Sequence, residues 1–172
     1  MTGWWRANAV PLGVLLVLVP ATTIAVGWNE WWGYYSGRAS IPIAVEAGDS
    51  TEYAHATVGP ATAEFTDRPL APEDARVVAV RILIDPHGLG FSCAIPQLRE
   101  LEGSQRQWDA ASAYDLDPER DFDLRESCDS ETAAPYTLDL DYLVPLDASG
   151  PFTVEVTSAE RIPEFARLIV EP

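Results

Sequence analysis

The chain has 172 residues, and its 27 acidic side chains against 11 basic ones give a formal net charge of −16 at pH 7. All 11 basic side chains are arginines, which excludes a lysine Schiff base and a P-loop lysine. So acidic a surface repels nucleic acid and anionic lipid headgroups, and it attracts cations or a basic partner. The length suits one domain together with an anchor and a tether.

An apolar segment lies near the N-terminus. Residues 7–29 carry no charge, and at 1.5 Å per residue a helix of this length is about 34 Å long. The hydrocarbon core of a bilayer is about 30 Å thick, so the segment predicts one transmembrane helix. Pro20 predicts a kink, which a transmembrane helix tolerates because the freed carbonyl finds other hydrogen-bond partners.

Aromatic residues flank the apolar segment on both sides. Tryptophan rings favour the headgroup level, so both flanks are predicted to lie at a membrane interface. A basic residue and the N-terminal amine precede the segment, and Glu30 follows it. By the positive-inside rule, the N-terminus is then cytoplasmic and the C-terminal part lies outside. The predicted interface residues are Trp4, Trp5, Arg6, Trp28, Trp31 and Trp32.

A cleaved signal peptide is the alternative for the same segment. Arg6 would belong to its positive region and residues 10–19 to its apolar region, with cleavage after Ala21 or Ala25. Neither position is a good site of the A-x-A type, so retention as an anchor is favoured. Both interpretations export the rest of the chain, and under the alternative that rest is secreted.

The predicted division of the chain has four parts. These are a cytoplasmic N-terminus at residues 1–8, a transmembrane anchor at 9–29, a tether at 30–50 and an extracytoplasmic domain at 51–172. Beyond the anchor there are ten arginines against 27 acidic residues, a formal net charge of −17. Net charge of this size keeps an exposed domain soluble.

The domain is predicted to be all-β. Residues 76–85 are its strongest strand, because apolar side chains alternate with Arg81 and other residues on the opposite face. Residues 136–142 alternate in the same way, with Asp139 and Asp141 on the polar face. About seven short strands separated by Pro, Gly, Asp and Ser predict an antiparallel sandwich. No sustained helical period follows residue 30.

Residues 109–134, here called the acidic segment, interrupt the strand pattern. They are rich in Asp, Glu, Ser and Pro, and we interpret them as a long acidic loop. The two cysteines, Cys93 and Cys128, are predicted to form a disulfide, since paired cysteines in an exported domain usually do. The alternative is two buried free thiols. Trp108 is predicted to pack in the core against this disulfide, and the alternative is an exposed tryptophan that stacks on a ligand.

A resemblance extends over about residues 51–171. The features that carry it are Gly59-Pro60, the strand at 77–84, Cys93 followed by Leu98, Gly103 and Trp108, then Cys128, and the run at 136–145. In these features the chain resembles a group of small bacterial immunoglobulin-like domains that follow an N-terminal anchor or signal. The resemblance implies an immunoglobulin-like β-sandwich with a disulfide, and it implies no catalytic residues.

One metal site is a candidate within the acidic segment. Six acidic residues fall at positions 1, 3, 5, 7, 9 and 12 of a twelve-residue calcium loop, and oxygen ligands at such positions converge on one cation. Position 6 requires glycine but holds Arg120, so a solvated acidic loop is the simpler interpretation. The candidate ligands are Asp115, Asp117, Glu119, Asp121, Asp123 and Glu126.

The sequence favours a non-enzymatic function. Neither the G-x-S-x-G nor the H-E-x-x-H motif occurs, and apart from calcium no cofactor is expected. The leading hypothesis is an anchored domain that contacts the bilayer through its helix and an unidentified envelope protein through its sheets or loops. The second is a surface module that binds a ligand or cation through residues 109–134, and the third is a secreted enzyme.

Overall fold

The computed structural model describes residues 2–120 and 123–172. The chain divides into two compact units, of which the first ends at Arg38 and the second comprises Ala39–Pro172. The first unit is a single helix, and the second contains all of the strands. We describe each unit by itself.

The first unit is the helix α1, Thr2–Ser36, which contains Pro11 and Pro20. The hydroxyl of Thr23 donates to the carbonyl of Val19 at 2.8 Å, so this polar side chain is satisfied within the helix. The span Gly3–Tyr34 has a mean hydropathy of 2.3 and none of it is buried, which makes it long and apolar enough to cross a membrane. The helix is longer than the predicted anchor at 9–29.

Within residues 39–120 and 123–172, the second unit contains nine strands and one short helix, where about seven strands were expected. Two of the strands are short, since β2 and β6 have three residues each. The strands are β1 Ile41–Val45, β2 Thr51–Tyr53, β3 Ala56–Thr66, β4 Ala75–Asp85, β5 Gln97–Glu100, β6 Gln107–Asp109, β7 Tyr136–Pro145, β8 Phe152–Val156 and β9 Glu164–Val170, and the helix is α2, Ala113–Leu116.

The strands form two sheets, as the sequence predicts in outline. One has five strands in the order β1-β9-β8-β5-β6, and the other has four in the order β2-β3-β4-β7. The purely antiparallel expectation is wrong at one pair, because β1 runs parallel to β9. The backbone amides of Ser40 and Ile41 both donate to the carbonyl of Pro163, which holds the incoming chain beside the last strand. The second unit therefore begins at Ala39, inside the predicted tether.

The two sheets share one hydrophobic core. The face of β4 that the sequence predicts to be apolar is buried in it, with Ile82 and Ile84 fully inaccessible. Phe152 and Leu168 enter the same core from the five-stranded sheet. Complete burial of one such side chain contributes about 1.5–3 kcal/mol. A shift of one residue would turn all of these side chains to the outer face, so their burial sets the register of the long strands.

Candidate functional site

The acidic segment lies against β7. The amide of Ala111 donates to the carbonyl of Asp141, and the amide of Asp139 donates to the carbonyl of Arg125, both at 2.8 Å. Because β7 is an edge strand of its sheet, these bonds cover backbone groups that would otherwise be open to pairing with another chain. The interpretation as a solvated loop therefore needs correction for this part of the segment.

Two apolar side chains bury one turn of the acidic segment. In α2, Ala113 and Leu116 are buried, and neither belongs to the core between the sheets. Val77 on the outer face of β4 is likewise fully buried and also lies outside that core. The amide of Leu70 donates to the carbonyl of Leu116 at 3.0 Å, which joins the β3–β4 connection to α2. A single turn with two apolar residues was too short to register as helical periodicity.

The predicted disulfide is present. Cys93 and Cys128 are bonded across 35 residues, and their Cα atoms are 5.5 Å apart. Nearby, Gly90 has φ +79°, and a Cβ atom on it would lie 2.1 Å from the carbonyl oxygen of Ser130. Only glycine permits these two segments of the chain to approach each other so closely. The bond and this contact hold the end of the acidic segment to the β4–β5 connection.

Trp108 packs against the core with Phe152 as its ring partner, and its predicted contact with the disulfide stays a prediction. The two ring centroids are 6.0 Å apart in an edge-to-face arrangement. The guanidinium of Arg106 lies 5.6 Å from the centroid of the indole. Trp108 is partly buried, together with Cys93 and Cys128 at the border of the same core.

A cluster of ion pairs fastens the acidic segment to the sheet. The Asp141 carboxylate is completely buried and receives Arg68 Nε at 2.7 Å and Arg120 Nη1 at 2.6 Å. Its neighbour two residues earlier, Asp139, accepts from Arg81 Nε at 2.9 Å. The alternation placed both aspartates on the outer face correctly. It did not predict their burial, because the arginines that pair with them come from other parts of the chain.

The two arginines on Asp141 differ in origin. Arg68 belongs to the β3–β4 connection and Arg120 to the acidic segment, so one carboxylate on β7 joins two connections. The hydrogen bond from Arg68 to Asp141 raises the pKa of the Arg68 guanidinium. Loss of one partner of a buried ion pair typically costs about 3–5 kcal/mol, because the other charge is left uncompensated.

An open cleft lies beside this cluster, over Ala79. Three rows of side chains cross the outer face of β3, β4 and β7, and Ala79 occupies the middle of the centre row. Its methyl group leaves a space of about 190 Å³, which we call the Ala79 cleft. The rows are Thr62, Arg81 and Asp139; Glu64, Ala79 and Asp141; and Thr66, Val77 and Leu143.

A second cluster closes the C-terminal end of the acidic segment. The Asp129 carboxylate accepts from the Thr132 hydroxyl and the Glu131 amide, and these bonds hold its pKa well below the usual range. Arg125 also pairs with Asp129 and lies 5.1 Å from the centroid of the Tyr136 ring. The pKa of Tyr136 is raised by burial. This cluster positions the chain just after Cys128.

The candidate calcium ligands are partly engaged in other bonds. Glu126 Oε1 accepts from the amide of Ala113 at 2.8 Å, and Asp117 Oδ1 accepts from the amide of Glu119 at 3.2 Å. Asp115 lies within α2. Asp121 falls outside the described residues. Within residues 2–120 and 123–172, no group of three or more His, Cys, Asp or Glu side chains is arranged to hold a metal ion. Calcium binding stays a prediction.

All six predicted interface residues lie on α1. The five tryptophans among them are exposed, and the rings of Trp28 and Trp32 are 6.0 Å apart. From Trp5 to Trp28 the helix rises by about 34 Å at 1.5 Å per residue, close to the thickness of a hydrocarbon core. The spacing suits two interfacial belts, and their contact with lipid stays a prediction.

The sequence analysis missed Arg68 and Arg120 as structural partners. The available signal was a strand with two aspartates on its outer face in a chain whose basic residues are all arginine, the residue best suited to bidentate carboxylate pairing. Which arginines would reach those aspartates depends on the path of two connections. That path has no periodicity from which it could be predicted.

No protein-family model, curated protein or solved structure matches this chain. A functional assignment therefore depends on the residues described above.

Proposed function

We propose that the chain is a membrane-anchored, non-catalytic protein whose β-sheet unit makes protein–protein contacts at the outer face of the cell envelope. The observation that carries the proposal is the helix α1, whose apolar span Gly3–Tyr34 has no buried part. In water such a surface would be costly to expose, whereas a bilayer covers it and the helix satisfies its own backbone.

The orientation follows from charge and from the disulfide. Arg6 precedes the apolar span and Glu30 lies near its other end, which favours a cytoplasmic N-terminus. The Cys93–Cys128 bond suits an oxidising compartment, since cytosolic thiols are kept reduced. Retention of α1 as an anchor and its removal as a signal both leave the second unit outside the cytoplasm.

We further propose that the second unit is an immunoglobulin-like sandwich. In that fold, strands A, B and E adjoin in one sheet, and C, F and G adjoin in the other. The order β3-β4-β7 corresponds to A-B-E, and the order β5-β8-β9 corresponds to C-F-G. The acidic segment pairs with β7 at the place of strand D. The unit departs from antibody domains in its disulfide, which does not join the equivalents of strands B and F.

The partner is proposed to present a basic surface. The second unit lacks Glu30, Arg6 and Arg38, so it carries 26 acidic residues against nine arginines, a net of −17. Eight of those arginines form ion pairs within the unit, and the ninth, Arg76, donates to the carbonyl of Ala148. The excess carboxylates therefore remain on the surface, where they would steer a basic partner.

Crosslinking in intact cells tests this proposal. A short carboxylate-to-amine crosslinker should capture a protein of the envelope, and capture should fall steeply as ionic strength rises, because surface attraction is screened within about 8–10 Å at physiological salt. External protease should remove the second unit from intact cells and leave an N-terminal fragment in the membrane. A protected second unit with thiols that react with alkylating reagents would contradict the proposed location.

A further inference from the structure

We propose that the Ala79 cleft binds a free amino acid, a small ligand with one carboxylate and one ammonium group. The proposal concerns the second unit alone and does not depend on membrane anchoring. It follows from three features of the cleft, namely its size, its unused arginine donors and its unpaired carboxylate.

The cleft has a fixed floor and charged walls. Ala79 lies on the central strand of a three-strand stretch, with hydrogen-bonded neighbours on both sides, so the floor does not move independently of the sheet. The space of about 190 Å³ is large enough for a small amino acid and too small for a folded partner. Thr62 and Thr66 add hydroxyl groups at the side formed by β3.

The carboxylate of the ligand would bind to Arg81 and Arg120. Arg81 donates through Nε to Asp139, and within the described residues its two terminal nitrogens make no hydrogen bond. Arg120 donates through Nη1 alone to Asp141. Both side chains line the cleft. Each is already held by its aspartate, so little further side-chain freedom would be lost when they bind a carboxylate.

The ammonium group of the ligand would bind to Glu64. This carboxylate lines the same cleft, and it makes no hydrogen bond or ion pair in the part of the chain that the structure describes. Glu64 faces Ala79, whereas Arg81 faces Thr62, so Glu64 and Arg81 are diagonal neighbours on one face. Such neighbours are about 7–8 Å apart at the backbone. A ligand with adjacent opposite charges, each in a contact of about 3 Å, spans that gap.

Net charge favours a zwitterion over a simple anion or cation. The unit carries a formal charge of −17, which repels an anion that approaches the cleft. Inside the cleft, Arg81 and Arg120 are paired with Asp139 and Asp141, so a simple cation contacts only Glu64 and leaves the remaining guanidinium donors unused. An amino acid carries no net charge at neutral pH, so the negative charge of the unit does not repel it. Its carboxylate and its ammonium group can then bind to the arginine donors and to Glu64 respectively.

The test uses the full chain in detergent micelles, labelled with ¹⁵N at arginine. The Nε–H signals are followed while glycine, alanine, acetate or methylammonium is added, and the Arg81 signal is assigned by its loss in Arg81→Gln. We expect glycine and alanine to displace the signals of Arg81 and Arg120 saturably. Acetate and methylammonium should bind about tenfold more weakly or worse, because each forms only one of the two charged contacts.

Three variants and one control locate the site. Arg81→Gln and Glu64→Gln should each weaken glycine binding about tenfold or more. Glu64→Gln should leave acetate binding equal or stronger, an effect that general damage to the fold would not produce. Ala79→Leu should abolish binding by filling the cleft while every charge is kept. Arg161→Gln removes an exposed arginine that pairs with Glu164 and should bind glycine as the natural chain does.

Several results would overturn the proposal. One is the absence of any saturable displacement by glycine or alanine. Another is acetate binding as tight as glycine binding, which would indicate a general anion effect at exposed arginines. Unchanged binding in Ala79→Leu, or loss of binding in Arg161→Gln, would place the ligand elsewhere.

Discussion

The outer faces of the two sheets carry the same ionic arrangement in different surroundings. On one face, Asp141 is shared by two arginines that come from connections outside the sheet. On the other, Glu155 on β8 is shared by Arg99 and Arg167, at 3.2 and 2.8 Å, and these lie on the neighbouring strands β5 and β9. Both carboxylates are shielded from solvent.

The difference lies in what each carboxylate joins. Glu155 links three strands that are already joined by backbone hydrogen bonds, so its removal leaves the ladder intact. Asp141 links β7 to the β3–β4 connection and to the acidic segment, neither of which is a strand of that sheet. One charge arrangement therefore reinforces a sheet, whereas the other determines where an irregular segment lies. The following experiments separate these roles, from the largest expected effect to the smallest.

Replacement of Asp141 should have the largest effect. Asp141→Asn leaves Arg68 and Arg120 without their buried counter-charge, and we expect the free energy of unfolding to fall by about 3–5 kcal/mol. Urea denaturation followed by circular dichroism of the strands measures this loss. Amide hydrogen exchange should also become faster across the acidic segment and not in β8 or β9. A loss spread evenly over both sheets would argue against a local role for Asp141.

Removal of the disulfide comes next. In the chain-entropy account, a bond that closes about 35 residues adds about 3–4 kcal/mol, so Cys93→Ser with Cys128→Ser should lower the free energy of unfolding by that amount. The same urea experiment measures it. Because the disulfide and Asp141 hold one segment, the combined variant should lose less than the sum of the two separate losses. Strict additivity would indicate that the segment has two independent attachments.

Glu155→Gln is the matched control for Asp141→Asn. Both substitutions exchange a carboxylate shared by two arginines for an amide of the same shape. We expect the free energy of unfolding to fall by only about 1 kcal/mol, since Arg99 and Arg167 are each about a third exposed and water can solvate them. A loss as large as that of Asp141→Asn would remove the distinction between the two faces.

Acid should weaken the cluster at Asp129. Its pKa is lowered in the folded protein, so its contribution is fully present above the ordinary carboxyl value of about 4 and is lost as the pH falls towards the lowered value. We expect the melting temperature of the natural chain to fall more steeply below about pH 4 than that of Asp129→Asn. Parallel thermal melts at several pH values measure both slopes. Equal slopes would show that Asp129 titrates normally.

Calcium should have the smallest effect. Glu126 and Asp117 already accept backbone hydrogen bonds, so a cation would have to displace those bonds before it could use the predicted positions. We expect no specific change in melting temperature at millimolar calcium relative to the same ionic strength of sodium chloride. A saturable rise that is absent in Glu126→Gln would establish the calcium site and contradict this expectation.

The sequence predicted correctly those features that depend on local composition, on regular spacing or on residue type. The uncharged residues 7–29 indicated a membrane-length helix, and the alternation in β4 and β7 indicated which side chains form the core. Compartment chemistry indicated the Cys93–Cys128 bond. The helix and the core can be recognised from a local pattern of residues, and the disulfide from the usual role of paired cysteines outside the cytoplasm.

Only the tertiary structure determined the rest. β1 pairs beside β9, more than one hundred residues later, and no local pattern specifies such a partner. The acidic segment is attached through two aspartates of β7, whose exposure depends on what covers them. A small residue at position 79 becomes the floor of a cleft only because long charged side chains from other strands and connections surround it. Contacts between residues far apart in the chain set these features, and alternation along a single strand cannot specify them.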